Sequence, residues 1–156
     1  MQQMIKYITY MIIAAAAALA AGCTHNDGDI GPLFGSWYLE EMTLDGRPVE
    51  QQSGVYSFMQ FQGAVVMCKL IDDRHSLLSY NVGSYVREGD ALLLDFTHSD
   101  NNTAPGEGQY SAPEWLLLTP NSVNRMDITS INNKKMKLKH ITPDGYVVEY
   151  SFKKTH

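Results

Sequence analysis

Short apolar segments follow one another from residue 33 almost to the end of the chain. They are rich in β-branched and aromatic residues, and turn residues such as Gly, Asn, Asp and Pro separate them. This pattern is typical of β-strands joined by tight turns, and neighbouring strands on such turns must be antiparallel. It predicts eight strands, over residues 34–44, 55–61, 64–71, 77–86, 91–97, 126–131, 135–141 and 146–152.

The last predicted hairpin shows a period of two most clearly. In strand 135–141 three lysines alternate with less polar residues. In strand 146–152 three aromatic residues and Val148 alternate with Val147, Glu149 and Ser151. One face is therefore apolar and the other charged, as in an antiparallel sheet that covers a core. We interpret the lysine face as the solvated outer surface rather than as a binding patch. The side chains expected to face the interior and to line a ligand cavity there are Trp37, Met136, Leu138, Tyr146, Val148, Tyr150 and Phe152.

Residues 98–113 form the one long irregular stretch of this region, and they are rich in Asn, Gly and Pro. A loop of this length in a small domain is usually functional or disordered. The residues that follow it, 114–118, predict a short helix or a ninth strand.

The N-terminal segment has a different pattern. Residues 11–21 are eleven consecutive apolar residues, and Lys6 is the only charged residue before them. A positive region, a short apolar core and a cleavage site of small residues are typical of a secretory signal peptide. A membrane-spanning helix needs about twenty apolar residues. The pattern therefore predicts a signal peptide over residues 1–22.

The sequence Leu19-Ala20-Ala21-Gly22-Cys23 resembles a bacterial lipobox, although Ala20 stands where that motif usually has Leu. The resemblance implies that Cys23 is lipidated and becomes the mature N-terminus. An ordinary cleaved signal followed by a chance cysteine is the alternative. Residues 23–32 are polar and Gly-rich, which predicts a flexible tether. We therefore expect an outer-membrane lipoprotein of the cell envelope, on its periplasmic side or at the cell surface.

Composition limits the classes of function. Removal of 22 of the 156 residues leaves 134, which suits a single domain over residues 33–154. The loss of Lys6 changes the net charge from −5 to −6. A net negative chain is a poor candidate for nucleic-acid binding, which needs clustered Lys and Arg. With Cys23 lipidated, Cys68 has no partner for a disulfide, and its apolar surroundings in sequence predict a small buried residue.

Motifs for metal binding and catalysis are absent from the sequence. The five histidines lie far apart without zinc spacing, and His140 is best interpreted as a core residue. Oxygen-bearing residues around the long loop, such as Asp95 and Asp100, leave calcium as an alternative, but the EF-hand order is missing. Hydrolase and phosphate-loop motifs are also missing. We predict no cofactor, no metal and no enzymatic activity, with a triad assembled from scattered residues as the alternative.

The opening Gly35-Ser36-Trp37, followed by seven more predicted strands, resembles a lipocalin, because Gly-x-Trp begins the first strand in that family. Residues 136–154 also resemble the ends of small lipocalin-like lipoproteins of Gram-negative gut bacteria. The resemblance covers residues 33–154. It implies an all-β, antiparallel, up-and-down eight-stranded barrel in which Trp37 closes one end. An open β-sandwich has the same strand pattern and is the alternative fold.

The sequence departs from the lipocalin pattern at the end of the last strand. The family tends to carry an Arg there that packs on the Trp, whereas this chain has Lys153 and Lys154.

Two functions are consistent with such a barrel. The first is a monomeric, lipid-anchored binding protein with a pocket for one small, mostly apolar ligand, because eight strands leave room for side chains or one small ligand. The second is a structural or interaction lipoprotein with a filled barrel, which acts through its outer surface and the 98–113 loop.

Overall fold

The computed structural model describes residues 31–97 and 111–155, and all statements below concern these residues. The predicted signal peptide, Cys23, most of the tether and residues 98–110 of the long loop lie outside them. The described part contains two short 3₁₀ helices, Gly31–Leu33 and Glu114–Leu116. Its strands are β1 (Gly35–Leu44), β2 (Arg47–Pro48), β3 (Val55–Gln62), β4 (Val65–Asp72), β5 (Leu77–Glu88), β6 (Ala91–Asp95), β7 (Val123–Ile131), β8 (Lys135–Ile141) and β9 (Val147–Thr155).

The strands form one closed antiparallel barrel. Each strand from β3 to β9 pairs with the next along the chain, β1 pairs with β3, and β1 also pairs with β9. The β1–β9 register runs from Ser36 opposite Thr155 to Leu44 opposite Val148. This pairing confirms the predicted eight-stranded up-and-down barrel and excludes the open sandwich. β2 lies outside the ring, as a two-residue strand that pairs with the end of β1.

The up-and-down order places the connections at two ends of the barrel. The turns 63–64, 89–90 and 132–134 lie at one end, together with the start of β1 and the end of β9. We call this the closed end. The connections 45–54, 73–76 and 142–146 lie at the other end, which we call the mouth, as do residues 96–97 and 111–122 of the connection between β6 and β7.

Trp37 and the chain segment before it fill the closed end. The Trp37 side chain is fully buried, and its indole N–H donates to the carbonyl of Leu33 at 2.8 Å. Leu33 is itself fully buried. The Lys154 Nζ lies 5.1 Å from the centre of the Trp37 ring and donates to the carbonyl of Pro32 at 2.9 Å. Lys154 therefore packs on the tryptophan at the place where lipocalins tend to carry an arginine.

Alternation of buried and exposed residues separates the barrel interior from its surface. In β8 the lysines lie on the outer side, while Met136, Leu138 and His140 are buried. In β9 Val148, Tyr150 and Phe152 are buried. Irregularities in register between Leu39 and Glu41 of β1, and between Ile128 and Ser130 of β7, accommodate extra residues. Such bulges preserve the inward direction of apolar residues on both sides of them.

One residue of the predicted interior face is wrongly placed by the sequence pattern. Tyr146 is 51% exposed, because β9 begins only at Val147 and Tyr146 belongs to the preceding turn. In that turn the Tyr146 N–H donates to the Thr142 hydroxyl at 3.0 Å, and the Thr142 N–H donates to the Tyr146 carbonyl. The turn geometry, rather than strand alternation, therefore directs this side chain into solvent.

Candidate functional site

The predicted cavity residues form a packed core. Six of the seven are at most 1% exposed, and the rings of Tyr150 and Phe152 stack with their centres 6.2 Å apart. The middle of the barrel is therefore filled by its own side chains. The six buried residues are Trp37, Met136, Leu138, Val148, Tyr150 and Phe152.

The chain from Ser111 to Ser122, which we call the mouth segment, covers the mouth of the barrel. Leu116 of its 3₁₀ helix is fully buried, and the Tyr150 hydroxyl donates to the Leu116 carbonyl at 2.6 Å. Asn81 of β5 donates to the Ser111 carbonyl at 3.0 Å. Hydrogen bonds to β9 and to β5 therefore hold the mouth segment over the core.

The end of the mouth segment is tied to β7 through Asn124. This buried amide donates to the carbonyls of Thr119 and Ser122 at 3.0 Å, and it accepts from the Thr119 N–H at 2.7 Å. A buried polar side chain needs such partners, since an unsatisfied amide costs about 1–3 kcal/mol. Asn124 thus fixes where the mouth segment returns to the barrel.

An apolar cavity of about 270 Å³ lies between the mouth segment and the barrel wall. Its apolar lining comes from β1, β3 and β4 on one side, and from the mouth segment and the 49–52 connection on the other. The residues that line it are Leu39, Met42, Val49, Glu50, Gln51, Gln52, Val55, Ser57, Leu70, Trp115 and Leu117.

Leu117 lines this cavity in a strained backbone conformation. Its φ and ψ angles are 55° and 30°, in the left-handed region that disfavours residues with a Cβ. The Leu117 N–H donates to the Glu114 carbonyl at 2.9 Å, so the turn itself imposes the conformation. Such strain costs about 1–2 kcal/mol and is frequent at ligand sites.

A second cavity, of about 450 Å³, lies between β5 and the other side of the mouth segment. Its lining is mostly polar, in contrast to the first. The Ser79 hydroxyl donates to Asn81 at 3.0 Å within it. The lining residues are Ser79, Asn81, Ser111, Ala112, Glu114, Trp115, Pro120 and Asn121.

Trp115 lines both cavities. Its indole Nε1 is buried and has no hydrogen-bond partner among residues 31–97 and 111–155. The sequence pattern did not predict Trp115, Leu116 or Leu117 as site residues. The available signal was the apolar run Trp115-Leu116-Leu117-Leu118 directly after a long polar loop, a pattern that by itself predicts only a short helix or a strand.

His140 is a core residue with one unsatisfied nitrogen. Its Nδ1 lies 2.8 Å from the carbonyl of Arg125, so Nδ1 carries the proton and donates. The Nε2 atom is buried without a partner in the described part of the chain. No group of three or more metal-binding side chains occurs in that part. Asp95 is the one candidate calcium ligand that lies within the residues described by the structure.

Two crustacyanins are among the solved structures to which this chain is similar. No protein-family model matches the chain, and no curated protein matches it. Apocrustacyanin C2 is 16% identical with a TM-score of 0.43, and lobster apocrustacyanin A1 is 15% identical with a TM-score of 0.42. The similarity covers 86% and 87% of this chain, but only 66% of each crustacyanin chain. The strand order and register carry the fold assignment.

Proposed function

We propose that this protein is a binding protein for one small, mostly apolar ligand, which it holds at the mouth of the barrel. The apolar cavity beneath the mouth segment is the observation that carries the proposal. Ligand sites are typically concave and apolar with a few polar groups, and this cavity has Ser57, Gln51 and Gln52 beside its apolar walls. Binding rests on apolar area removed from water, worth about 25 cal/mol per Å².

The site differs from the one that the sequence suggests. The middle of the barrel is occupied by packed aromatic and aliphatic side chains, so the ligand space is moved towards the mouth. Leu39, Met42 and Leu70 form its floor and wall, and Trp115 and Leu117 form its cover.

Mass spectrometry under native conditions tests the proposal. The purified chain is incubated with a membrane-lipid extract, and we expect a bound mass in addition to the bare chain. Leu70→Trp fills the cavity and removes the bound mass. Leu78→Trp, on an exposed position of β5, is the matched control and retains it. A wild-type chain that stays bare in every extract contradicts ligand binding.

The proposal includes a lipid anchor in the cell envelope, at the outer membrane. Its support is the lipobox-like sequence that ends at Cys23 and the polar residues 23–32 after it. Within residues 31–97 and 111–155, no helix has the length and apolarity to cross a membrane.

Thiol counting tests the anchor. The chain has two cysteines, and the acylated Cys23 sulfur does not react with thiol reagents. We expect one reactive thiol, that of Cys68, in the denatured protein from its native host. Two reactive thiols contradict lipidation, and Cys23→Ser shows which signal belongs to Cys68.

A second candidate function is an interaction protein that acts through its surface. Two observations favour it: the filled barrel interior and an aromatic cluster on the outer side of β1 and β3. In this cluster the Tyr38 ring lies 5.6 Å from Phe58 and 6.2 Å from Tyr56. Crosslinking in intact cells tests this function. A specific crosslinked partner that is lost in Tyr38→Ser/Tyr56→Ser supports it, whereas a chain that always runs alone contradicts it.

A further inference from the structure

Trp115 is the wall between the apolar and the polar cavity at the barrel mouth. Leu39, Met42 and Leu70 lie on one side of it, and Ser79, Asn81 and Ser111 lie on the other. A molecule that occupies both cavities therefore contacts the Trp115 side chain. Such a molecule has an apolar part and a polar part.

The side chain that borders both cavities carries a buried hydrogen-bond donor, the indole N–H of Trp115. It is buried without a partner in the described residues, whereas the other tryptophan, Trp37, donates to the Leu33 carbonyl. A buried unsatisfied donor costs about 1–3 kcal/mol, so an acceptor that reaches it is favoured. An indole N–H cannot accept, and the ligand must therefore present an oxygen or another acceptor.

The polar cavity favours an uncharged head group. Its side-chain polar groups are the hydroxyls of Ser79 and Ser111, two asparagine amides and the carboxylate of Glu114. Hydroxyls and amides can both donate and accept, which matches a head group with several hydroxyls. The Glu114 carboxylate and the net charge of −5 disfavour an anionic head.

We propose that the ligand is an amphiphile with an apolar chain and an uncharged, hydroxylated head group, and that the Trp115 N–H binds an oxygen of that head. The apolar chain lies in the cavity lined by Leu39, Met42 and Leu70, and the head lies beside Ser79 and Asn81. This inference rests on the proposed ligand binding at the mouth and adds the chemical class of the ligand.

Nuclear magnetic resonance of the indole N–H groups tests the inference directly. The chain has two tryptophans, so a ¹⁵N-labelled full chain gives two indole signals. The probe is n-octyl-β-D-glucoside, kept below its critical micelle concentration. We expect the Trp115 proton signal to move downfield on binding, while the Trp37 signal stays in place. Trp115→Phe assigns the two signals.

Calorimetric titration of variants gives the second readout. Trp115→Phe retains an aromatic ring and removes the donor, and we expect it to weaken octyl glucoside binding roughly 3- to 10-fold, the value of one hydrogen bond. Octylammonium has the same chain and no acceptor, so its affinity should be unchanged in this variant. Octanoate should bind more weakly than octyl glucoside, and Glu114→Gln should reduce that difference.

The outcomes separate the two proposals. If octyl glucoside and octylammonium both fail to bind the wild-type chain, binding at the mouth is contradicted. If both bind, and Trp115→Phe weakens them equally or not at all, binding stands and recognition through the N–H is contradicted. Leu70→Trp, which fills the apolar cavity, should abolish the binding of both probes. Circular dichroism confirms that each variant is folded.

Discussion

The Tyr150 hydroxyl connects the barrel wall to the mouth segment through its 2.6 Å bond to the Leu116 carbonyl. Tyr150→Phe removes this bond and leaves a buried carbonyl without it, so we expect a loss of about 1–2 kcal/mol in the free energy of unfolding. Urea denaturation measures it. The matched control is Tyr146→Phe, whose exposed ring should leave stability within about 0.5 kcal/mol. Equal losses in both variants would contradict the assigned roles.

The same hydroxyl makes the free energy of unfolding fall as the pH rises above 10. Burial, and to a smaller extent the neighbouring Cys68 thiol, raise the pKa of Tyr150 above its usual 10. Since the folded-state pKa is the higher one, the stabilisation is complete below pH 10 and is lost as the pH rises towards the folded-state pKa. The stability gap between wild type and Tyr150→Phe should therefore shrink above pH 10, by up to about 1.4 kcal/mol per pH unit. A gap that is constant to pH 11.5 would show that Tyr150 ionises normally.

Lys154 closes the barrel at the end opposite to the mouth. It combines a hydrogen bond to the Pro32 carbonyl with a position over the Trp37 ring. We expect Lys154→Met to reduce the free energy of unfolding by about 1–2 kcal/mol, because the variant loses a hydrogen bond and a cation–π contact. Lys153→Met, on the exposed side of the same strand, is the control and should change little. A larger effect at Lys153 would overturn this assignment.

At the scale of the element, the close approach of β5 to the end of β6 depends on a residue without a side chain. A Cβ on Gly83 would lie 2.6 Å from the Asp95 carbonyl oxygen and 2.7 Å from a ring carbon of Phe96. Gly83→Ala should therefore lower the free energy of unfolding by about 1–3 kcal/mol, measured by urea denaturation. Ser84→Ala on the exposed side of β5 should be nearly neutral. A neutral Gly83→Ala would mean that the two strands separate readily here.

The eight strands of the ring could be predicted because each one carries its own alternation of apolar and polar residues. Alternation of buried and exposed residues is a property of a few neighbours, and it located β8 at its observed bounds and the others within three residues. β2 has two residues and pairs only because the 45–46 turn returns the chain to β1, so it has no pattern of its own. Tyr146 continued the alternation of β9 but belongs to a turn.

The mouth could not be predicted, because it depends on contacts between distant parts of the chain. The bond between Tyr150 and Leu116 spans 34 residues, and that between Asn81 and Ser111 spans 30. Similarly, the lysine that packs on Trp37 is 117 positions away in sequence. The sequence contains these residues but no local signal that pairs them. The candidate cavity was therefore predicted in the middle of the barrel rather than at its mouth.

At the scale of the whole molecule, closure of the sheet determines how the interior is exposed. Cys68 is fully buried and burial raises the pKa of its thiol, which disfavours the reactive thiolate. Each strand of the closed barrel is hydrogen-bonded to two neighbouring strands, so the sheet has no open edge beside Cys68. We therefore expect the labelling of Cys68 by iodoacetamide to follow global unfolding, with the same dependence on urea as the circular dichroism signal. The Cys23→Ser background isolates Cys68. Labelling that is independent of urea would reveal local opening.

The pairing of the first and last strands of the barrel has a mechanical consequence. Ser36 lies opposite Thr155, so the start of β1 and the end of β9 lie side by side, and a force that pulls these two points apart acts across the ladder between β1 and β9. The load then falls on one pair of backbone bonds at a time, as in unzipping, instead of being shared by the whole ladder as in shear. The contact of Lys154 with Pro32 and Trp37 is at the point where this separation starts. The domain should consequently yield at low force once that contact is broken, however stable it is towards denaturant.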